Sequence, residues 1–167
     1  MDRNDLVPGY KDPSASASIE ATHALISYIR ALPEPRLVEP VLTPRFAISC
    51  TNELLCELGD MAKKDSTLRI QTHISENQNE IDETLKLFPG ETYAQVYSNR
   101  GLLGPRTILA HAIHLEKSEI CLVKAKNAGV SHCPTSNFNL RSGVCPVGKL
   151  LDHGIKVVVS LCLLVRH

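Results

Sequence analysis

The chain has 167 residues, of which 43% are hydrophobic and 22% charged, with 18 Lys and Arg balancing 18 Asp and Glu. That length buries one sizeable core, so a single domain over residues 1–167 is the default expectation. Balanced charge offers no electrostatic footprint for nucleic acid, no apolar run reaches the roughly 20 residues of a spanning helix, and Met1-Asp2-Arg3-Asn4-Asp5 lacks the regions of a signal peptide. The expectation is a cytoplasmic protein with a small-molecule or protein partner and no nucleic-acid or membrane partner. Its six widely spaced cysteines, with no Cys-x-x-Cys pair, fit reduced thiols.

Residues 1–16 are rich in Asp, Pro and Ser and read as a loop-like lead-in. Apolar residues at helical spacing predict a helix over Ser18–Leu32, stopped by Pro33 and Pro35. Leu37–Leu42 reads as a buried strand, and Thr51–Ala62 as a helix. Strands at Leu68–Ile74, Thr107–His111 and Val130–Cys133 then alternate with helices over Glu76–Leu87 and Glu116–Ala128. A last apolar run, Ile155–Val165, follows. Such alternation predicts parallel βα units in an α/β fold. A complete eight-stranded barrel takes about 250 residues. About five units, a partial (βα)8 TIM-type barrel incomplete at both ends, is therefore the reading. A five-stranded doubly wound sheet is the competing architecture, but the sequence contains no Gly-x-Gly-x-x-Gly or Gly-x-x-x-x-Gly-Lys-Ser/Thr turn to give it a nucleotide site.

The strand ends carry the chemical signals. Thr72-His73-Ile74-Ser75-Glu76 places an imidazole at one strand terminus and a carboxylate three residues later. In parallel βα proteins this is the edge where sites form, and the pair suits a ligand and a general acid/base. The next strand ends in Ala110-His111, with His114 beyond it, and an imidazole there can orient or polarise a water. Taken singly, His73 and His111 are also readable as satisfied core or strand-end histidines, and Glu76 as a residue favourable to a helix N-terminus. A third strand end is polar, Ser131-His132-Cys133-Pro134-Thr135-Ser136-Asn137. His132 and Cys133 do not form a nucleophile pair, because neighbours on a strand point to opposite faces. Thr43-Pro44-Arg45-Phe46 sets a guanidinium beside an aromatic ring, which fits a flat polar heterocycle or, more plainly, a surface ion pair and a core ring.

In their order and spacing, Met1-Asp2-Arg3-Asn4-Asp5, Thr43-Pro44-Arg45-Phe46, Thr72-His73-Ile74-Ser75-Glu76, Ala110-His111 and His132-Cys133-Pro134-Thr135-Ser136-Asn137 resemble the guanine deaminases of the amidohydrolase superfamily. The His-x-x-Glu and His-Cys-Pro-Thr-Ser-Asn elements alone indicate only the wider group, which includes enzymes acting on other aminated or halogenated heterocycles. Thr-Pro-Arg-Phe moves the reading toward guanine. The resemblance implies a (βα)8 barrel with one zinc ion, whose activated water converts guanine to xanthine and ammonia. It further implies His73 as a zinc ligand, Glu76 as the proton shuttle and His111 as the residue that positions the water. Arg45, Phe46, His73 and Glu76 would contact guanine.

Two elements of that pattern are missing. The family's His-x-His pair, which supplies two zinc ligands, occurs nowhere in the sequence; His111 and His114 are three apart. The Gly-x-Gly-Thr-Asp segment, with its metal-binding aspartate, does not follow the last strand, and residues 157–167 read instead as a divergent apolar tail. Such a change in character reads as an altered frame or alternative exon. Most of the zinc site is thus absent, which predicts impaired activity for this polypeptide by itself. It also gives a competing reading, a non-catalytic fragment that forms homo-oligomers or joins a partner through exposed strand edges.

Overall fold

The structure is a computed structural model that describes residues 1–3, 9–34 and 37–160. The first helix is α1 (Ala15–Arg30), and a two-residue strand, β1 (Val41–Leu42), follows it. A 3₁₀ turn at Ala47–Ser49 then leads to α2 (Asn52–Lys64), β2 (Arg69–Ile74), α3 (Gln78–Leu87) and α4 (Tyr93–Asn99). The remaining elements are β3 (Thr107–His111), α5 (Lys117–Ala125), β4 (Gly129–His132), α6 (Pro134–Asn139), α7 (Val147–Asp152) and β5 (Lys156–Val159).

All strand pairs are parallel, and the sheet order is β1-β2-β3-β4-β5. Each crossover therefore steps one strand in the same direction. A doubly wound sheet reverses that direction at a switch point, so this order is that of a barrel wall five strands wide. Every strand's C-terminal end lies along one edge of the sheet.

Alternation within the strands separates two faces. Ile70, Thr72 and Ile74 of β2, Leu109 of β3 and Val130 of β4 are buried. The residues between them, Arg69, Gln71, Ile108, Lys156 and Val158, are exposed, Ile108 at 45% and Val158 at 53%. One face is covered by helices and the other, which a closed barrel turns inward, is bare among the described residues. Parallel sheets are ordinarily buried on both faces.

Several expected boundaries shift. Ser14 caps α1 by accepting the Ala17 N–H, so the helix starts at Ala15 rather than Ser18 and the lead-in is shorter. The lead-in is also anchored: the Asp2 carboxylate accepts the Thr51 N–H at 2.8 Å and its hydroxyl at 2.5 Å. β1 keeps only the last two residues of Leu37–Leu42, and residues 35–36 lie outside those described. Asn77 caps α3, which puts Glu76 in the turn before the helix rather than in its first turn. Of the apolar run Ile155–Val165, Lys156–Val159 forms β5, and residues 161–167 lie outside those described. Helices α4, α6 and α7 are additional to the elements expected. For α4 a signal was present: Thr92 and Gln95 form a reciprocal capping box, the Thr-x-x-Gln pattern of a helix start.

Candidate functional site

The site is built on the ends of β1, β2 and β3. Beyond β1, Phe46 precedes the 3₁₀ turn, and its N–H donates to Ser49 Oγ at 3.1 Å, which fixes the backbone there. The Phe46 ring stacks on the His73 ring at the end of β2, with centroids 4.1 Å apart and planes 20° from parallel. His73 stacks in turn on His111 at the end of β3, at 5.0 Å and 19°. Arg45 extends this column, its Cζ over the Phe46 ring and 5.3 Å from the centroid. Aromatic contacts contribute about 0.5–1.5 kcal/mol each beyond area burial, so the column holds its own geometry.

His111 reaches the column through an unusual backbone. Strand alternation groups it with the helix-facing Thr107 and Leu109, yet its ring lies against His73, which belongs to the opposite parity. A φ of +72° at His111 breaks the alternation, and Ser75 and Ala112 also have positive φ, at +48° and +49°. Non-glycine residues in this region cost of order 1–3 kcal/mol each and persist where surrounding bonds over-determine them. Here the exits of β2 and β3 are tied together. The Ala112 N–H donates to the Ile74 carbonyl at 3.0 Å, and the N–H groups of Ile113 and His114 both donate to the Ser75 carbonyl at 3.1 Å.

The ring nitrogens have defined partners. His73 Nδ1 is 2.7 Å from the Arg45 carbonyl, which only accepts, so the proton sits on Nδ1 and the Nε2 lone pair is left available. Burial pushes the His73 pKa down to about 4, so the ring is neutral at pH 7, the form that binds metals. His111 Nδ1 is 2.7 Å from Asn137 Oδ1 and 3.5 Å from Glu76 Oε1. Glu76, His111 and Asn137 are all buried. Glu76 Oε1, Asn137 Nδ2 and Ser75 Oγ have no hydrogen-bond partner, although buried polar atoms are ordinarily paired. Two of these atoms lie just past the end of β2 and the third in α6, which follows β4.

Support comes from behind β2. Glu80 Oε2 accepts the Glu76 N–H at 3.1 Å, and Glu80 Oε1 accepts the Tyr93 hydroxyl at 2.5 Å. The Tyr97 hydroxyl donates to the His73 carbonyl at 2.9 Å. Burial pushes the Glu80 pKa up to about 7 against the opposing effect of these hydrogen bonds. Sequence reading singled out none of Glu80, Tyr93 or Tyr97. The site opens onto a cleft of about 210 Å³ on the bare face of the sheet, lined by His73, His111, Gln71, Ala110, Ser131 and Cys133, among others.

The structure thus brings Arg45, Phe46, His73 and His111 into one column, with Glu76 beside His111. His114 is exposed and its Nε2 donates to the Ser142 carbonyl, outside the column. The Cys133 thiol donates to the Ser131 carbonyl. A catalytic zinc takes three protein ligands and an open position. His73 Nε2 fits as one such ligand, but no three His, Cys, Asp or Glu side chains converge on a metal position among the described residues. The donor set present does not fit a complete zinc site.

A one-directional parallel βα wall with imidazoles and a carboxylate at the C-terminal strand ends defines the class: this chain belongs to the amidohydrolase family, whose model matches residues 1–162. Among relatives, it is 54% identical over 157 residues to a probable guanine deaminase of Schizosaccharomyces pombe, covering 92% of this chain and 30% of that protein. It is 44% identical over 158 residues to a guanine deaminase of Dictyostelium discoideum, covering 94% and 34%. Among solved structures, a guanine deaminase from C. acetobutylicum with bound guanine superposes with a TM-score of 0.88 at 41% identity, covering 96% of this chain and 38% of that one. The chain spans about a third of the length of the curated relatives it matches.

Proposed function

We propose that this chain supplies the central part of a guanine deaminase site, in which guanine and water give xanthine and ammonia. The observation that carries the reading is the Arg45–Phe46–His73–His111 column with Glu76 beside it. Phe46 and Arg45 present a flat face and a planar donor to the purine, and His73 and Glu76 lie along its reacting side. Glu76 Oε1, free of hydrogen bonds, takes one proton from the attacking water and passes it to a purine ring nitrogen, then takes the second proton from the resulting hydroxyl and gives it to the amino group, which leaves as ammonia. His111, held by Nδ1, keeps Nε2 toward the attacking water. Zinc, when bound, would supply the activation of that water, with His73 as one ligand. The remaining ligands fall outside this donor set, so no step is routed through the metal. The polypeptide alone is accordingly impaired.

A chimaera in which residues 1–160 replace their counterparts in the S. pombe relative isolates the contribution of these residues. Glu76→Gln in that protein lowers kcat for guanine by roughly 10²–10⁴-fold, the range of a lost general acid/base. Phe46→Ala raises KM with a smaller effect on kcat. A chimaera whose guanine turnover is indifferent to Glu76→Gln contradicts the assignment of the proton shuttle.

A further inference from the structure

We infer that Asn137 is the positioning residue that sets the tautomer of His111, and thereby leaves the Glu76 carboxylate free for proton transfer. The inference rests on the reading of His111 and Glu76 given above. Two acceptors compete for the His111 Nδ1 proton. Asn137 Oδ1 stands at 2.7 Å, an ordinary hydrogen bond, and Glu76 Oε1 stands at 3.5 Å and makes none. The amide therefore orients the ring. With the proton on Nδ1, the Nε2 lone pair projects from the buried ring, which is the arrangement a residue that positions a water requires.

An amide suits this task because it is neutral at every relevant pH. A carboxylate at Asn137 would place a second buried negative charge close to Glu76, with a desolvation cost of its own. The fold also locks Asn137 in place. Pro134 occupies the first turn of the short helix α6, the Asn137 N–H donates to the Cys133 carbonyl at 3.0 Å, and the Asn137 carbonyl accepts the Ser142 N–H at 2.9 Å. Asn137 is 1% exposed and its Nδ2 has no partner, so the bond from His111 Nδ1 to Oδ1 is what engages its buried amide. The positive φ of His111 and the Asn137 amide act together: the first swings the ring out of strand alternation, and the second fixes its rotation and proton.

The test reads the proton directly. Histidine ¹⁵N chemical shifts distinguish Nδ1–H from Nε2–H rings in the chain itself, without metal or turnover. The expected spectrum of the unmodified chain shows His111 protonated on Nδ1. Asn137→Leu, which keeps the branching at Cγ but lacks the acceptor, shifts His111 toward the Nε2–H form, and Asn137→Asp, which restores an acceptor, keeps the proton on Nδ1. Glu76→Gln leaves the tautomer unchanged. An unmodified chain carrying the proton on Nε2, or a tautomer that moves with Glu76→Gln and not with Asn137→Leu, overturns the inference. In the chimaera, Asn137→Leu lowers kcat roughly 10–100-fold with KM nearly unchanged. A correct tautomer with no guanine turnover in the unmodified chimaera contradicts the proposed function and leaves the positioning role standing.

Discussion

At the scale of single residues, buried groups with shifted ionisation make opposing demands on the fold. Glu80 has a folded pKa of about 7, raised by burial from a model-peptide value near 4.5. The native state holds that proton more tightly, so its contribution is fully present below about pH 4.5 and is lost as pH rises toward 7, by on the order of 3 kcal/mol. His73 has the opposite sign: its pKa of about 4 lies below 6.5, so its contribution is present above pH 6.5 and lost as pH falls toward 4. The two slopes oppose each other across the same window. Glu80→Gln removes one of them, and urea denaturation between pH 4 and 7 should then show stability rising with pH more steeply than in the unmodified chain. Equal slopes in the two proteins would contradict the burial of an ionisable Glu80. His73, Glu76 and His111 were legible in the sequence as strand-end groups, because each stands where an apolar strand run ends. Asn137 and Glu80 were not, because their roles depend on tertiary contacts. Asn137 meets a ring 26 positions away, and Glu80 looks like one more carboxylate in the charged first turn of a helix.

At the scale of elements, the strands read from the sequence at Leu68–Ile74 and Thr107–His111 are present nearly as expected, since Val, Ile and Leu runs bounded by turns are a strong local signal. The short helices α4, α6 and α7, of six or seven residues, were missed because so few turns establish no periodicity. α4 depends on its context. Thr92→Ala should remove the capping box and cost about 1 kcal/mol, within reach of a denaturation midpoint measurement. Gly59 in α2 is a close approach between elements, because a Cβ there would lie 1.7 Å from the Arg100 carbonyl oxygen just past α4. In an open helix Gly→Ala gains up to about 1 kcal/mol. Here the clash dominates, and Gly59→Ala should destabilise by about 1–3 kcal/mol, with a lowered midpoint as the readout. A gain in stability would contradict this packing of α2 against the residue that ends α4.

At the scale of the whole molecule, five parallel strands in unreversed order make a wall with one bare face and two open edges, at β1 and β5, among the described residues. The alternation of strands and helices was legible, and the missing nucleotide-binding turns favoured a partial barrel over a doubly wound sheet, but the strand order itself comes from the structure. Which face is bare was not legible, because burial on both sides of a parallel strand gives a continuous apolar run in sequence. Ile108 and Val158 expose apolar surface there, at 45% and 53%. Sedimentation of the isolated chain should therefore show association that rises with concentration and weakens with Ile108→Lys. A monomer at every concentration would contradict that expectation. Guanine deamination is expected of this wall once a barrel is completed around it. Its most direct measurement is xanthine and ammonia formation from guanine by the chimaera carrying residues 1–160, with solubility and bound zinc verified. Turnover of guanine is the expected result; a folded, zinc-loaded chimaera that leaves guanine untouched contradicts the proposed function.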